Sequence, residues 1–165
     1  MIDKDKFCEL IGATQNAMYA LAYSIVKNEE DACDVVGEAI LRAYSRLDQL
    51  WNPHAFRTWI LRIVHNTAVD LVRKQSSLVD VEDIEVYADR PEEESVDTAS
   101  RLLLREAVER LKQPYRTVVV LFYYEGLPTS KIAQITGVSA VTVRKQLFRA
   151  RKQLKDCLKQ EDFIR

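Results

Sequence analysis

Glycine is scarce in this chain, with four among 165 residues. Together with a hydrophobic content of 47%, that scarcity suits one or two small helical domains rather than a sheet-rich enzyme. Cysteine is equally sparse. Cys8, Cys33 and Cys157 are odd in number, far apart and without any CxxC or Cys/His ligand spacing, so they read as reduced thiols and neither a disulfide framework nor a metal site is expected. No apolar run approaches the length of a membrane span, and the opening MIDKDKFCEL lacks the basic-then-apolar order of a signal peptide, so a cytoplasmic protein is expected. No motif for a cofactor is present.

Charge is plentiful, and it is segregated. The formal net charge of -1 conceals three segments. Residues 1–75 hold 9 Lys/Arg against 10 Asp/Glu, residues 76–98 hold 1 against 9, and residues 99–165 hold 14 against 6. A nearly neutral domain is thus tethered through an acidic segment to a basic one. The segment SSLVDVEDIEVYADRPEEESVDT has the composition of a flexible linker. It is either a solvated spacer or an acidic strand that lies in a basic channel of a partner. Its 23 residues, if extended, reach roughly 75 Å at about 3.3 Å per residue. That length compares with roughly 70 Å for two turns of B-DNA.

The basic domain carries the most informative stretch, LPTSKIAQITGVSAVTVRKQLFRARKQL from Leu127 to Leu154. A short helix with Ile132, Ala133 and Ile135 runs into Gly137, suited to the left-handed backbone of a tight turn. Ser139 can cap a second helix, in which Val143, Leu147, Ala150 and Leu154 form one buried stripe. Thr142, Arg144, Lys145, Gln146, Arg149, Arg151 and Lys152 occupy its other faces. Side chains of these types at the start of a recognition helix can reach base edges and phosphates in the major groove. An ordinary amphipathic surface helix with a solvated charge run would show the same pattern. Pro128 suits a first helical turn.

The first domain begins with a helix near Asp5 to Val26 and a second from about Asp31 to Leu47. In the second, Ala32, Val35, Val36, Ala39, Ile40 and Ala43 form the inward face and Asp34, Glu38, Arg42 and Arg46 the outward one. Such a ladder is either intrahelical ion pairing or a contact surface. A third helix starts after Pro53. Phe56, Trp59, Ile60, Ile63 and Val64 recur at core spacing, which makes Trp59 a core residue rather than a base-stacking platform. Arg62, Asn66, Asp70 and Arg73 form a separate polar stripe. Asn66 offers a donor and an acceptor to a base edge, and Arg73 and Lys74 can meet phosphate. Asp70 is placed to hold Arg73 or Lys74, or to form a salt bridge with no DNA role.

In order and spacing, these motifs resemble the extracytoplasmic-function sigma factors, the two-domain group of the bacterial sigma-70 family. The resemblance to region 2 lies in Ala32-Cys-Asp34-Val35-Val36-Gly37-Glu38 and in FRTWILRIVHNTAVDLVRK at Phe56 to Lys74. For region 4 it lies in LKQPYRTVVVLFYYEGL at Leu111 to Leu127, the pair Ile132 and Ala133, GVS at Gly137 to Ser139 and TVRKQLFRARKQL at Thr142 to Leu154. What the resemblance implies is an all-α fold of two small domains, region 2 at 1–75 and region 4 at 99–165, joined by the acidic linker 76–98. It also implies a non-enzymatic subunit that confers promoter choice on core RNA polymerase. Asp34, Glu38 and Arg42 would face polymerase. The loop Asp48 to Ala55 and Asn66 would bind the minus-ten strand, with Arg62, Arg73 and Lys74 supporting its backbone. Thr142, Arg144, Lys145 and Arg149 would serve the minus-thirty-five duplex. An anti-sigma factor, often a membrane protein, is an expected partner, and fused regulatory domains are not expected after Lys155. Two positions depart from the family pattern: Gly37 stands where Gln is common, and Pro128 where Ser usually caps the helix.

Two other classes compete. A stand-alone helix-turn-helix regulator normally brings a dimerisation or ligand domain, and no symmetric interface is evident. A serine recombinase would need a catalytic α/β domain, and Ser24 sits in a helical apolar pattern without a general base.

Overall fold

The computed structural model describes residues 2–78 and 98–163, and among these the regular structure is helical throughout. The first domain is built from α1 (Lys4–Val26), α2 (Glu29–Ser45) and α3 (Phe56–Leu78). Asp3 caps α1 by accepting from the Lys6 N–H at 2.8 Å, and Asn28 caps α2 by accepting from the Asp31 N–H at 2.9 Å. Between them Lys27 takes a left-handed φ of 53° and returns its N–H to the Tyr23 carbonyl, so the chain reverses within two residues. Phe7, Met18, Leu21, Val35, Phe56, Ile60, Leu61 and Val64 fill the space between the three helices. Each such side chain contributes roughly 1.5–3 kcal/mol by leaving water. The α2 face is the one read from the sequence: Ala32, Val35, Val36, Ala39 and Ala43 are buried.

The second domain comprises α4 (Thr98–Arg110), α5 (Tyr115–Val119), α6 (Thr129–Thr136) and α7 (Ala140–Phe163). Past Val119 the helix widens into a π turn over Val120–Tyr124 before Gly126, at φ 66°, lets the chain turn away. Gly137 ends α6 at φ 78° with its N–H on the Ala133 carbonyl, and Ser139 Oγ accepts from the Thr142 N–H at 3.1 Å. The turn and cap of the helix-turn-helix are therefore as the sequence implies. Pro128 differs slightly. At φ -69° and ψ 158° it precedes α6 as its N-cap residue, where its carbonyl receives the N–H groups of Lys131 and Ile132. Within the acidic segment, residues 76–78 continue α3 and Thr98 opens α4; the rest of that proposed linker lies outside the described residues.

The sequence suggests two tethered bodies, but it gives no sign that they pack directly on one another. They do. Val118, Leu121, Leu127, Ile132, Ile135, Val143 and Leu147 join the apolar core of the first domain in a single cluster, with α6 laid against α3. At the end of α1 the Ser24 carbonyl accepts from Gln113 Nε2 at 2.8 Å and from Arg116 Nε. Ser24 Oγ and Thr117 Oγ1 stand 3.1 Å apart, and Arg57 Nη2 reaches both the carbonyl and the carboxylate of Glu125.

Candidate nucleic-acid and polymerase interface

The recognition helix α7 separates its two tasks by face. Val143, Leu147 and Ala150 are buried, while Arg144, Lys145 and Arg149 are exposed. Thr142 is half-buried, and its hydroxyl lies 2.9 Å from Ser139 Oγ, so it belongs to the helix cap as well as to the outward surface. Two residues that the sequence groups with the outward cations behave otherwise. Arg151 lies over the rings of Phe122 and Tyr123, 5.7 Å from each centroid, and donates to the Tyr123 hydroxyl. Gln146 turns toward the first domain, where its Oε1 is buried without a hydrogen-bond partner.

On α2, Asp34 and Glu38 are exposed as expected. Arg42 is more committed. Its Nε pairs with Glu38 at 3.1 Å, and its Nη1 reaches Asp70 at 3.4 Å and Thr67 Oγ1 at 3.3 Å. It therefore ties α2 to α3, and the sequence spacing did not reveal Arg42 as the partner of Asp70. Leu41 and Tyr44, on the same helix, are 68% and 52% exposed, which adds apolar area to this acidic face. Sequence reasoning missed that pair, although both fall off the buried stripe and were detectable on that ground.

Along α3, Arg62, Asn66, Arg73 and Lys74 are all exposed. Trp59 is half-buried, its ring 5.9 Å from that of Phe56, so it is a core-edge residue rather than a fully enclosed one. Trp51 in the loop between α2 and α3 is 88% exposed. That loop is shaped from below by buried Leu50 and by Asn52, whose side chain accepts from the His54 N–H at 3.0 Å. The polar stripe runs along α3, and the loop leads into the N-terminal end of the same helix.

Two titratable groups stand out for their burial. Arg116 is lowered to about 10, chiefly because burial penalises its charge and against smaller raising effects of Glu109 and Tyr23. It is held by carbonyls of Ser24 and Leu111 rather than by a carboxylate. His65 lies below its ordinary 6.5 because burial disfavours the cation, with a smaller opposing contribution from Asn66. Ser24, the one candidate nucleophile, donates to the Leu21 carbonyl at 2.7 Å and packs against Thr117, a structural role. Among the described residues no group of His, Cys, Asp and Glu could hold a metal, and no helix is long and apolar enough to cross a membrane.

Two packed helical domains, one ending in a cation-faced recognition helix, define a DNA-binding transcription protein. Comparison with known proteins makes the assignment specific. Residues 10–78 match Sigma-70 region 2 and residues 101–154 match Sigma-70, region 4. The chain is 38% identical over 146 residues to the RNA polymerase sigma factor SigV of Bacillus subtilis, covering 87% of this chain and 86% of that one. It is 27% identical over 170 residues to the ECF RNA polymerase sigma factor SigW of the same organism, covering 95% and 91%. In fold it is similar to the sigma factor RpoE of Bartonella quintana, solved in complex with the anti-sigma factor NepR, at a TM-score of 0.75 and 21% identity over 95% of this chain and 98% of that one. The structure of CnrH in complex with the cytosolic domain of CnrY is also similar, at a TM-score of 0.69 and 26% identity over 96% and 90%. The chain belongs to the sigma-70 family of RNA polymerase sigma factors, in its extracytoplasmic-function group. It is a transcription initiation factor and not an enzyme, and the reading as a stand-alone regulator falls away.

Proposed function

We propose that the first domain docks on core RNA polymerase through the α2 face of Asp34 and Glu38, with Arg42 bracing that face against Asp70 and Thr67 of α3. The exposed stripe of Arg62, Asn66, Arg73 and Lys74 then receives the minus-ten strand, Asn66 meeting a base and the cations its phosphates. Arg144, Lys145 and Arg149, with Thr142 at the helix start, serve the minus-thirty-five duplex. The observation that carries this reading is the division of α7 into a buried stripe and an exposed cationic face. On this reading the two DNA elements lie about two turns of B-DNA, roughly 70 Å, apart, and the packed domains separate on the reach of the acidic segment to meet both.

An inhibitor that holds the domains in an inactive arrangement completes the proposal. Support comes from two similar folds: RpoE was solved with an anti-sigma factor, and CnrH with a cytosolic domain of CnrY. A cytoplasmic site of action goes with this reading, because core polymerase and promoter DNA are the partners it gives the chain. Run-off transcription with core enzyme over a library of promoter sequences tests the reading as a whole. Specific initiation that depends on both elements is the expected result, and initiation indifferent to the minus-thirty-five sequence would overturn the role given to α7.

A further inference from the structure

In its first turn the recognition helix points a valine outward. Val141 follows Ala140 at the start of α7 and is 52% exposed. At roughly 100° per residue, it is turned about 150° away from the buried stripe of Val143, Leu147 and Ala150. Arg144 and Lys145, the neighbours one turn on, are exposed beside it. A single exposed valine on a helix surface is ordinary. At this place it is not neutral, because the N-terminal residues of a recognition helix are the ones that meet base edges.

The turn that carries Val141 is held from within. The Thr142 N–H donates to Ser139 Oγ at 3.1 Å, and the two hydroxyls lie 2.9 Å apart. A valine in a helix has one strongly preferred rotamer. Its methyl groups are thus fixed before a partner arrives, and little side-chain freedom is lost on contact. The chemistry then narrows the partner. Valine offers neither donor nor acceptor, so a polar base edge pressed against it would lose water without replacement. The apolar group that bases present in the major groove is the C5 methyl of thymine.

We infer that Val141 is a specificity-determining residue that reads the methyl group of a thymine in the minus-thirty-five element. This rests on the proposed seat of α7 in that duplex. One helical turn, about 5.4 Å, separates Val141 from Arg144 and Lys145, so the thymine lies one or two base pairs, at about 3.4 Å each, from the groups those cations meet. Val141 adds sequence preference where phosphate contacts add affinity alone.

The test uses holoenzyme formed with the full chain, and the minus-thirty-five element that it selects from a promoter library. Each thymine of that element, on either strand, is replaced singly by deoxyuridine, which removes the methyl and keeps every donor and acceptor. In mobility-shift titrations the wild-type holoenzyme should bind about fourfold more weakly at one position, the worth of one buried methyl group. With Val141→Ala most of that difference should vanish, while the urea midpoint does not fall, since alanine is the better helix former. Indifference of the wild-type holoenzyme to every deoxyuridine, or an equal loss with both chains, would overturn the role of Val141 and leave that of α7 standing. A library that yields no minus-thirty-five preference would overturn both.

Discussion

Two substitutions on α7, three residues apart, should produce opposite phenotypes. Arg144 is exposed and Leu147 is 2% exposed, so one helix supplies both the test and its control. Arg144→Ala removes no buried group, and stability should stay within about 0.5 kcal/mol of wild type. If Arg144 reads a guanine edge, about 1–3 kcal/mol of discrimination disappears, roughly 5- to 150-fold in affinity at one base position. Leu147→Ala leaves a cavity where α7 meets Ile132, Ile135 and the core of the first domain, costing about 2–5 kcal/mol. Against a total of about 5–15 kcal/mol for a domain, that is a large fraction. Urea unfolding measures the second effect, and holoenzyme binding to single-base variants of the minus-thirty-five element measures the first. Weakening by Arg144→Ala that is uniform across variants, with the salt slope reduced by about one, would move Arg144 from base edge to phosphate. No loss on any variant would remove it from the interface, and an unchanged urea midpoint for Leu147→Ala would refute the assigned orientation of the helix.

Glu38→Lys should lower core-polymerase affinity by on the order of a hundredfold if the site is desolvated, while breaking only a half-exposed pair with Arg42 whose loss costs less than about 1 kcal/mol; unchanged affinity in titrations with labelled core enzyme would exclude the face. Asn66→Ala should suppress permanganate reactivity of minus-ten thymines on a duplex promoter, and a premelted bubble should restore initiation; normal reactivity would remove Asn66 from strand capture. Folded His65 lies below 6.5, so the unfolded chain binds more protons just below that pH, and stability should fall as pH drops from about 6.5 toward the folded value. Urea midpoints of wild type and His65→Phe should differ in this window, and parallel pH profiles would refute it.

The helices and their inward faces were legible because amphipathic spacing records burial directly: Val35, Ile60, Val143 and Leu147 needed no tertiary knowledge. Gly137 and Ser139 were legible for a related reason, since backbone sign and helix capping are local demands. What stayed hidden depends on contacts between residues distant in the chain. The Arg42–Asp70 bridge spans 28 positions, and the bonds from Gln113 and Arg116 to Ser24 span about 90. Gln146 shows the limit most clearly. On a helical wheel it sits among cations, and only the second domain's seat against α3 makes it interior. Trp59 falls at core spacing yet is half-buried, because spacing fixes the face but not how far the neighbouring elements cover it.

On the proposed function the domains separate at the promoter, and the packed arrangement carries features that favour this. Apolar contacts of α6 on α3 favour closure. Against them stand His65 Nδ1 and Gln146 Oε1, each unbonded in the closed form and free to bond water once the domains part. An unmet buried group costs about 1–3 kcal/mol, so the two together offset burial of one or two side chains. Arg116 adds to the imbalance: its guanidinium donates to two carbonyls, with only smaller support from Glu109 and Tyr23, and solvent would relieve the burial that lowers it to about 10. The hydrogen bonds lost on opening, at Ser24 and Glu125, have water as a ready substitute. On the proposed function, closure is shallow enough for docking of the α2 face on polymerase to outweigh it. The same balance implies that removing one of the two unmet atoms from the closed form, as Gln146→Leu does, should deepen closure and slow holoenzyme assembly. Stopped-flow association of labelled chain with core enzyme measures this, and a Gln146→Leu chain that assembles faster than wild type would show that the unmet atoms do not hold the balance.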